Sequence, residues 1–236
     1  MMLRIDDLHT HYGTSHIIQG ISLEVGQGEI VGIFGRNGVG KTTLLKAIAG
    51  WVMPTRGSIA IAGRQINGMS SDKICRFGVG IVPEDRRIFP GLTVSENLEI
   101  ALSQVAGRSA AEERVALERI YTRLPRLSER RKQSATTLSG GEQQMLAMAR
   151  VMLGQPKLVL IDEPSEGLAP MIVELVFAMI RDLQSEGASV LLVEQNVHKA
   201  LSLTQRFCVI ERGRIVEAGS SDSEADRDRL FKAIAV

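Results

Sequence analysis

The sequence predicts an α/β fold: a largely parallel sheet with antiparallel strands toward its N-terminus and a helical lobe inserted before its later strands. Three observations carry that expectation. Short, almost wholly apolar runs at Ile30–Phe34, Leu158–Ile161 and Ser189–Val193 read as strands buried on both faces. The last two are separated by an apolar-periodic helix, Met171–Leu183, which is the alternation of a parallel sheet. From about Thr93 to Leu158 the strand signal disappears, and three Ser/Thr-x-x-Glu capping boxes replace it: Thr93 with Glu96, Ser109 with Glu112, and Ser139 with Glu142.

Taken in order, Ile21–Val25 alternates apolar and polar residues as a half-buried strand does, and Ile30–Phe34 runs straight into a glycine-rich loop. Thr42 to Ala49 reads as a helix stopped at Gly50, with Pro54 beyond it. Ser58–Gly63 is a further short strand between glycines. In the helical lobe the third helix runs from about Glu142 to Leu153 and ends at Gly154, with Pro156 two residues on. Arg206–Glu211 and Arg214–Ala218 flank Arg212-Gly213 as a closing hairpin. Ser220–Asp228 is small and charged, and is expected to be loosely ordered before a short helix at Arg229–Ala235. The chain is thus expected to be one domain, with an α/β lobe built from residues 1–85 and 154–236 and a helical lobe from 86–153.

Composition narrows the function classes. A chain of 236 residues with 44% hydrophobic content buries a full core. With 28 basic and 27 acidic residues it has no charge excess to recommend nucleic acid or an anionic membrane as partner. Cys75 and Cys208 form no Cys-x-x-Cys pair and read as two reduced thiols of a cytosolic protein. His9, His11, His16 and His198 lack the spacing of zinc ligands. Neither a signal-type N-terminus nor an apolar run near the roughly 20 residues of a membrane span is found. Any membrane work is therefore expected to pass through a partner.

Gly35-Arg36-Asn37-Gly38-Val39-Gly40-Lys41-Thr42 fits G-x-x-x-x-G-K-[ST] at every fixed position and lies between an expected strand and an expected helix, the context that confirms this phosphate-binding motif. Its glycines permit a turn that aims N–H groups at the β- and γ-phosphates of a nucleoside triphosphate, and the helix N-terminus, which continues into Thr43, adds its positive dipole. Lys41 would neutralise the γ-phosphate, and Thr42 would place its hydroxyl on Mg²⁺. Asp162 follows four apolar residues and so ends a buried strand at the edge where ligands of α/β sheets gather. There it would bind Mg²⁺, usually through water, while Glu163 would polarise an attacking water. The alternative is a structural carboxylate pair.

Leu138-Ser139-Gly140-Gly141-Glu142-Gln143-Gln144 is a second phosphate-seeking element, a capped helix start with small residues that expose backbone N–H groups. Alone, Ser139-x-x-Glu142 reads as a helix cap. Together with the phosphate loop and the Asp162-Glu163 strand end, however, the string makes nearly the whole chain resemble the ATP-binding subunit of an ABC transporter, a P-loop NTPase (RecA-like) lobe with an inserted helical subdomain. The resemblance implies ATP and Mg²⁺ as cofactors and a head-to-tail dimer, in which Ser139–Gly141 closes over ATP held by the facing subunit. It also gives Tyr12 the place of an aromatic that stacks on adenine, worth about 1–3 kcal/mol by analogy with base stacking. A tyrosine packed at a strand end is the competing reading.

Three departures refine the resemblance. Glu84, in the stretch Ile81–Pro90 joining the lobes, stands where most members have glutamine beside nucleotide and metal. Ala169 replaces an aspartate, and Gln195 stands where most have a γ-phosphate-sensing histidine. Gln195 keeps one amide hydrogen bond to a phosphate oxygen but cannot be cationic. His198, one turn on, reads as a surface histidine. The changes at Ala169 and Gln195 would suit a crippled ATPase, yet Val-Pro-Glu, Gly-Leu-Ala-Pro and Val-Glu-Gln-Asn are together similar to the ATPase of branched-chain amino acid uptake systems. That subgroup implies homo- or heterodimeric ATPases on the inner face of the cell membrane, two permease subunits and, indirectly, an extracytoplasmic solute-binding protein. A urea or short-chain amide importer shares much of the pattern. A soluble non-transport ABC ATPase or a regulatory nucleotide-binding module are the readings from other classes.

Overall fold

A computed structural model of the protein describes residues 1–105 and 107–235. In chain order it runs β1 (Leu3–Tyr12), β2 (Ser15–Val25), β3 (Ile30–Phe34), α1 (Lys41–Ile48), β4 (Arg56–Ile61), β5 (Arg64–Gln65), α2 (Ser71–Arg76) and β6 (Val79–Val82). Helices α3 (Val94–Ser103), α4 (Ala110–Arg123), α5 (Pro125–Glu129) and α6 (Gly140–Leu153) follow. The chain then completes β7 (Leu158–Asp162), α7 (Pro170–Ser185), β8 (Ser189–Val193), α8 (Val197–Leu201), β9 (Arg206–Glu211), β10 (Arg214–Ser220) and α9 (Glu224–Ala235).

Two sheets result. One is antiparallel, in the order β2-β1-β4-β5; the other has six strands in the order β10-β9-β3-β8-β7-β6. Every neighbour pair of the second sheet is parallel except the edge hairpin β9-β10. Its central strands β3, β7 and β8 are buried along their whole length because alternate residues enter different cores. Val31, Ile33, Leu158, Leu160, Leu191 and Val193 face α1 and the antiparallel sheet. Ile30, Phe34, Val159, Ile161, Val190 and Leu192 face α7 and the helices of the inserted segment, within one apolar cluster that also holds Leu98, Leu102, Ile120, Leu127 and Leu146. Helix α7 supplies Val173, Val176, Phe177, Ile180 and Leu183 from its inner stripe. Truncating fully buried Phe177 to alanine would cost about 3–5 kcal/mol.

All three capping boxes form, each with the Ser or Thr side chain accepting the N3 amide while the glutamate accepts the cap amide. The structure corrects two local expectations, at Ala62-Gly63 and over Ser220–Asp228, and adds detail at β1 and α6. β1 carries no usable alternation because Asp7, at φ 45, bulges the strand: Leu3 and Ile5 are buried before it, Leu8 and Thr10 after it, so the period breaks. Helix α6 ends at Leu153 with Gly154 as its cap, as expected; Gly154 keeps a right-handed backbone and Gln155, next along, takes the left-handed one. Ala62 and Gly63, both at positive φ, form a turn after β4 rather than continuing it. Ser220–Asp228 is ordered, since the Asp226 carboxylate accepts the Ser220 N–H at 2.9 Å and the helix begins at Glu224.

Cys75 and Cys208 are free thiols, and burial pushes Cys208 up to about 11. Among the described residues no helix is long and apolar enough to cross a membrane.

Candidate functional site at the phosphate loop

The loop from Gly35 to Gly40 leaves the C-terminal end of β3 and enters α1, so the parallel sheet presents it at the edge where β7 and β8 also end. Gly35 sits at φ 141 and packs so closely on β9 that a Cβ there would lie 2.3 Å from the Ile210 carbonyl oxygen. Only glycine fits that backbone and that space. Gly40 precedes α1 without a side chain to cap it, and the first turn holds no acidic residue. The leading amides of α1 therefore remain available to an anion.

Lys41, 4% exposed, folds back over the loop, where its Nζ donates to the carbonyl oxygens of Gly35 (2.9 Å) and Arg36 (3.0 Å). It also lies 3.4 Å from Oε1 of Glu163. A buried ammonium needs such partners. The other oxygen of Glu163 accepts a hydrogen bond from the side-chain amide of Gln195, two residues past the end of β8. Lys41, Glu163 and Gln195 thus form a contiguous chain of contacts.

Asp162, the last residue of β7, is 3% exposed. Burial pushes its carboxyl up to about 6, opposed by a hydrogen bond from Thr42 and reinforced by the negative charges of Glu163 and Glu84. Its Oδ1 is buried without any hydrogen-bond partner. Such an orphan acceptor next to a hydroxyl suits a hard cation with oxygen ligands. Among the described residues no three His, Cys, Asp or Glu side chains converge on a metal position. A cation there would take most of its ligands from phosphate and water, which is how Mg²⁺ is usually bound.

Glu166 joins the carboxylates at this edge: desolvation raises its pKa, with Glu163 and Glu84 adding to the shift. Nothing in the sequence around Glu166 signals this, and nothing signals the burial of Glu194, 2% exposed, just before Gln195. A cavity of about 310 Å³ opens beside the loop, lined by Gly35, Arg36, Asn37, Gln195 and residues of α8 and α9.

The structure brings Lys41, Thr42, Glu84, Asp162, Glu163 and Gln195 together. Tyr12 stands apart at the tip of the β1-β2 hairpin, as the last residue of β1, and is 48% exposed. Its hairpin is nonetheless adjacent to the loop, since Ile17 and Ile18 of β2 abut Gly40. Ser139, Gly140 and Gly141 start α6 with an intact capping box and make no hydrogen bond to the Lys41–Glu163 cluster. Arg86 lies over Gly140, where a Cβ would come within 3.0 Å of its guanidinium. His198 is exposed and stacks on Phe231, as a surface histidine would.

A phosphate loop, a strand-end carboxylate pair and a second capped helix start on an inserted helical segment define an ATP-binding cassette ATPase. The family model for ABC transporters matches residues 18–166, and the chain belongs to that family. It is 44% identical over 215 residues, 91% of each chain, to the high-affinity branched-chain amino acid transport ATP-binding protein BraG of Pseudomonas aeruginosa. It is 32% identical over 232 residues to the probable branched-chain amino acid transport ATP-binding protein LivF of Archaeoglobus fulgidus, covering 98% of this chain and 97% of the relative. Among solved structures, the ATP-binding subunit of an ABC transporter aligns with a TM-score of 0.87 at 27% identity, covering 100% of this chain and 95% of the other. The chain is accordingly an ATP-binding, ATP-hydrolysing subunit of a transporter.

Proposed function

We propose that this ATPase energises import of branched-chain amino acids through two separate membrane permeases, working on the inner face of the cell membrane as a dimer with itself or a sister ATPase. An extracytoplasmic solute-binding protein would deliver the solute. The observation that carries the ATPase chemistry is the contact chain Lys41–Glu163–Gln195 beside the orphaned Asp162 carboxylate. The 44% identity to BraG supports the solute class.

In this reading the amides of the Gly35–Thr43 segment and the Lys41 ammonium bind and orient the β- and γ-phosphates. Thr42 and Asp162 would hold Mg²⁺, with Glu84 nearby, and the ion would supply charge neutralisation to the phosphates. Glu163 accepts a hydrogen bond from the attacking water and turns its lone pair toward phosphorus, with Gln195 fixing the carboxylate. Tyr12 offers its exposed ring to adenine. The Ser139–Gly141 helix start makes no hydrogen bond to its own chain's Lys41–Glu163 cluster, and in this reading it closes over the nucleotide of the facing subunit.

Glu84–Leu92 is the proposed permease contact. Phe89 is 38% exposed beneath the Arg150 guanidinium at 4.3 Å, and Arg87 lies over Trp51 at 4.3 Å, so aromatic surface is rimmed by charge. Uptake of labelled leucine, isoleucine and valine by proteoliposomes containing the chain, its permeases and binding protein tests the solute assignment. Urea or acetamide uptake without amino-acid uptake would replace it with the amide reading.

A further inference from the structure

Glu194, the second residue of Val-Glu-Gln-Asn, has been given no role of its own above, yet its carboxylate is buried where the two catalytic loops meet. One oxygen, Oε1, accepts the backbone N–H of Ser165 at 3.1 Å. The other, Oε2, accepts the backbone N–H of Asn196 at 2.9 Å. Ser165 lies two residues beyond Glu163, and Asn196 immediately follows Gln195. One side chain therefore ties the loop leaving β7 to the loop leaving β8.

The tie closes a ring. Glu163 donates its own N–H to the Val193 carbonyl at 2.9 Å, and the Gln195 side chain donates to the Glu163 carboxylate. Glu163 holds a left-handed backbone, φ 45, which a residue with a side chain keeps only when its surroundings over-determine it. The bonds at Glu163 N and Ser165 N flank that residue and supply the constraint. On the other side, the Asn196 side chain accepts the Lys199 N–H at 3.2 Å and caps α8, so the Glu194–Asn196 bond also fixes where α8 starts. Among the described residues no cation pairs with Glu194; its charge is compensated by backbone N–H groups.

We propose that Glu194 is a positioning residue, whose two oxygens hold Glu163 and Gln195 in register so that the carboxylate stays aimed at the attacking water. It rests on the roles given above to Glu163 and Gln195.

Glu194→Gln is nearly isosteric but offers one acceptor and turns its NH₂ toward a backbone N–H. In the assembled transporter it should lower kcat about tenfold, the scale typical of groups that orient a ligating or reacting side chain. Affinity for a fluorescent ATP analogue should stay within about twofold, because the phosphate loop is untouched. Glu194→Asp, which keeps the charge but reaches only one amide, should fall between. In a Gln195→Ala background the added loss should shrink below about threefold, since the group being positioned is gone. Unchanged kcat in folded Glu194→Gln, equal losses of kcat and affinity, or full additivity with Gln195→Ala would each overturn the proposal. Should the variant not fold, amide hydrogen exchange in the unaltered protein decides: slow, matched protection of Ser165 and Asn196 supports the clamp, and rapid exchange at either sinks it. If Glu163→Gln and Gln195→Ala were themselves fully active, the fault would lie in the underlying site assignment instead.

Discussion

Lys41 is the buried cation of the phosphate loop, its ammonium engaged by two carbonyls and Glu163, whereas the loop's other cation, Arg36, is exposed. Lys41→Ala should abolish measurable ATP turnover while lowering ATP affinity less, and normal hydrolysis by the purified variant would reject the assigned site. Gln195→Ala removes the amide donor on Glu163 and should lower kcat about 10- to 100-fold with nucleotide affinity nearly intact, the range seen on losing one aligned donor. An unchanged kcat in the assembled transporter would return Gln195 to the background. At this scale most of the site was legible, because Gly35–Thr42, Asp162 and Glu163 must occupy fixed steps of a strand, a loop and a helix start. Glu166 and Glu194 were not, since Glu194 matters through its burial and both lie on loops that meet only after folding.

Three helices begin with the same capping box, which makes an internal comparison possible. Replacing a capping serine with alanine typically costs about 1 kcal/mol. Ser109→Ala should show that loss in a thermal melt and leave ATPase activity unchanged. Ser139→Ala should lose similar stability and, in addition, turnover, because its helix start is assigned to a phosphate. Equal activity in the two variants would make Ser139 a cap and nothing more. The loop after β6 offers a separate test: single cysteines at positions 86–89, in a cysteine-free background, should cross-link to the permeases, and no adduct in any nucleotide state would remove this loop as the contact. Elements were read correctly where local chemistry set them, as at the hairpin whose Arg212 and Gly213 both take positive φ. They were missed where tertiary pairing overrode the pattern, as in β1 with its bulge at Asp7 and in β6, whose partner β7 lies 76 residues later.

For the whole molecule the central expectation is a nucleotide shared between subunits, because α1 and α6 each present a helix start to phosphate and only α1 lies at the carboxylate cluster. Glu163→Gln keeps the side chain's size but removes the carboxylate charge, so ATP should bind and persist and the closed dimer should accumulate. Adding Ser139→Arg should abolish that dimer while sparing binding at the same chain's phosphate loop. Light scattering, alone and with the sister ATPase, checks both; an ATP-loaded Glu163→Gln protein monomeric in each setting would overturn the shared site. The apolar cluster under the sheet has a further consequence. Leu98, Ile120 and Leu146 of the inserted helices share it with Val159, Ile161 and Leu192 of the strands, so one apolar core joins the two regions. Heating should therefore melt them together in one calorimetric transition, and residues 86–153 excised alone should fail to fold, having left one wall of their interior behind. A load applied at Ile88, which packs on that cluster, would be carried to the strand bearing Asp162 by close-packed side chains of low compressibility, as through a single stiff body.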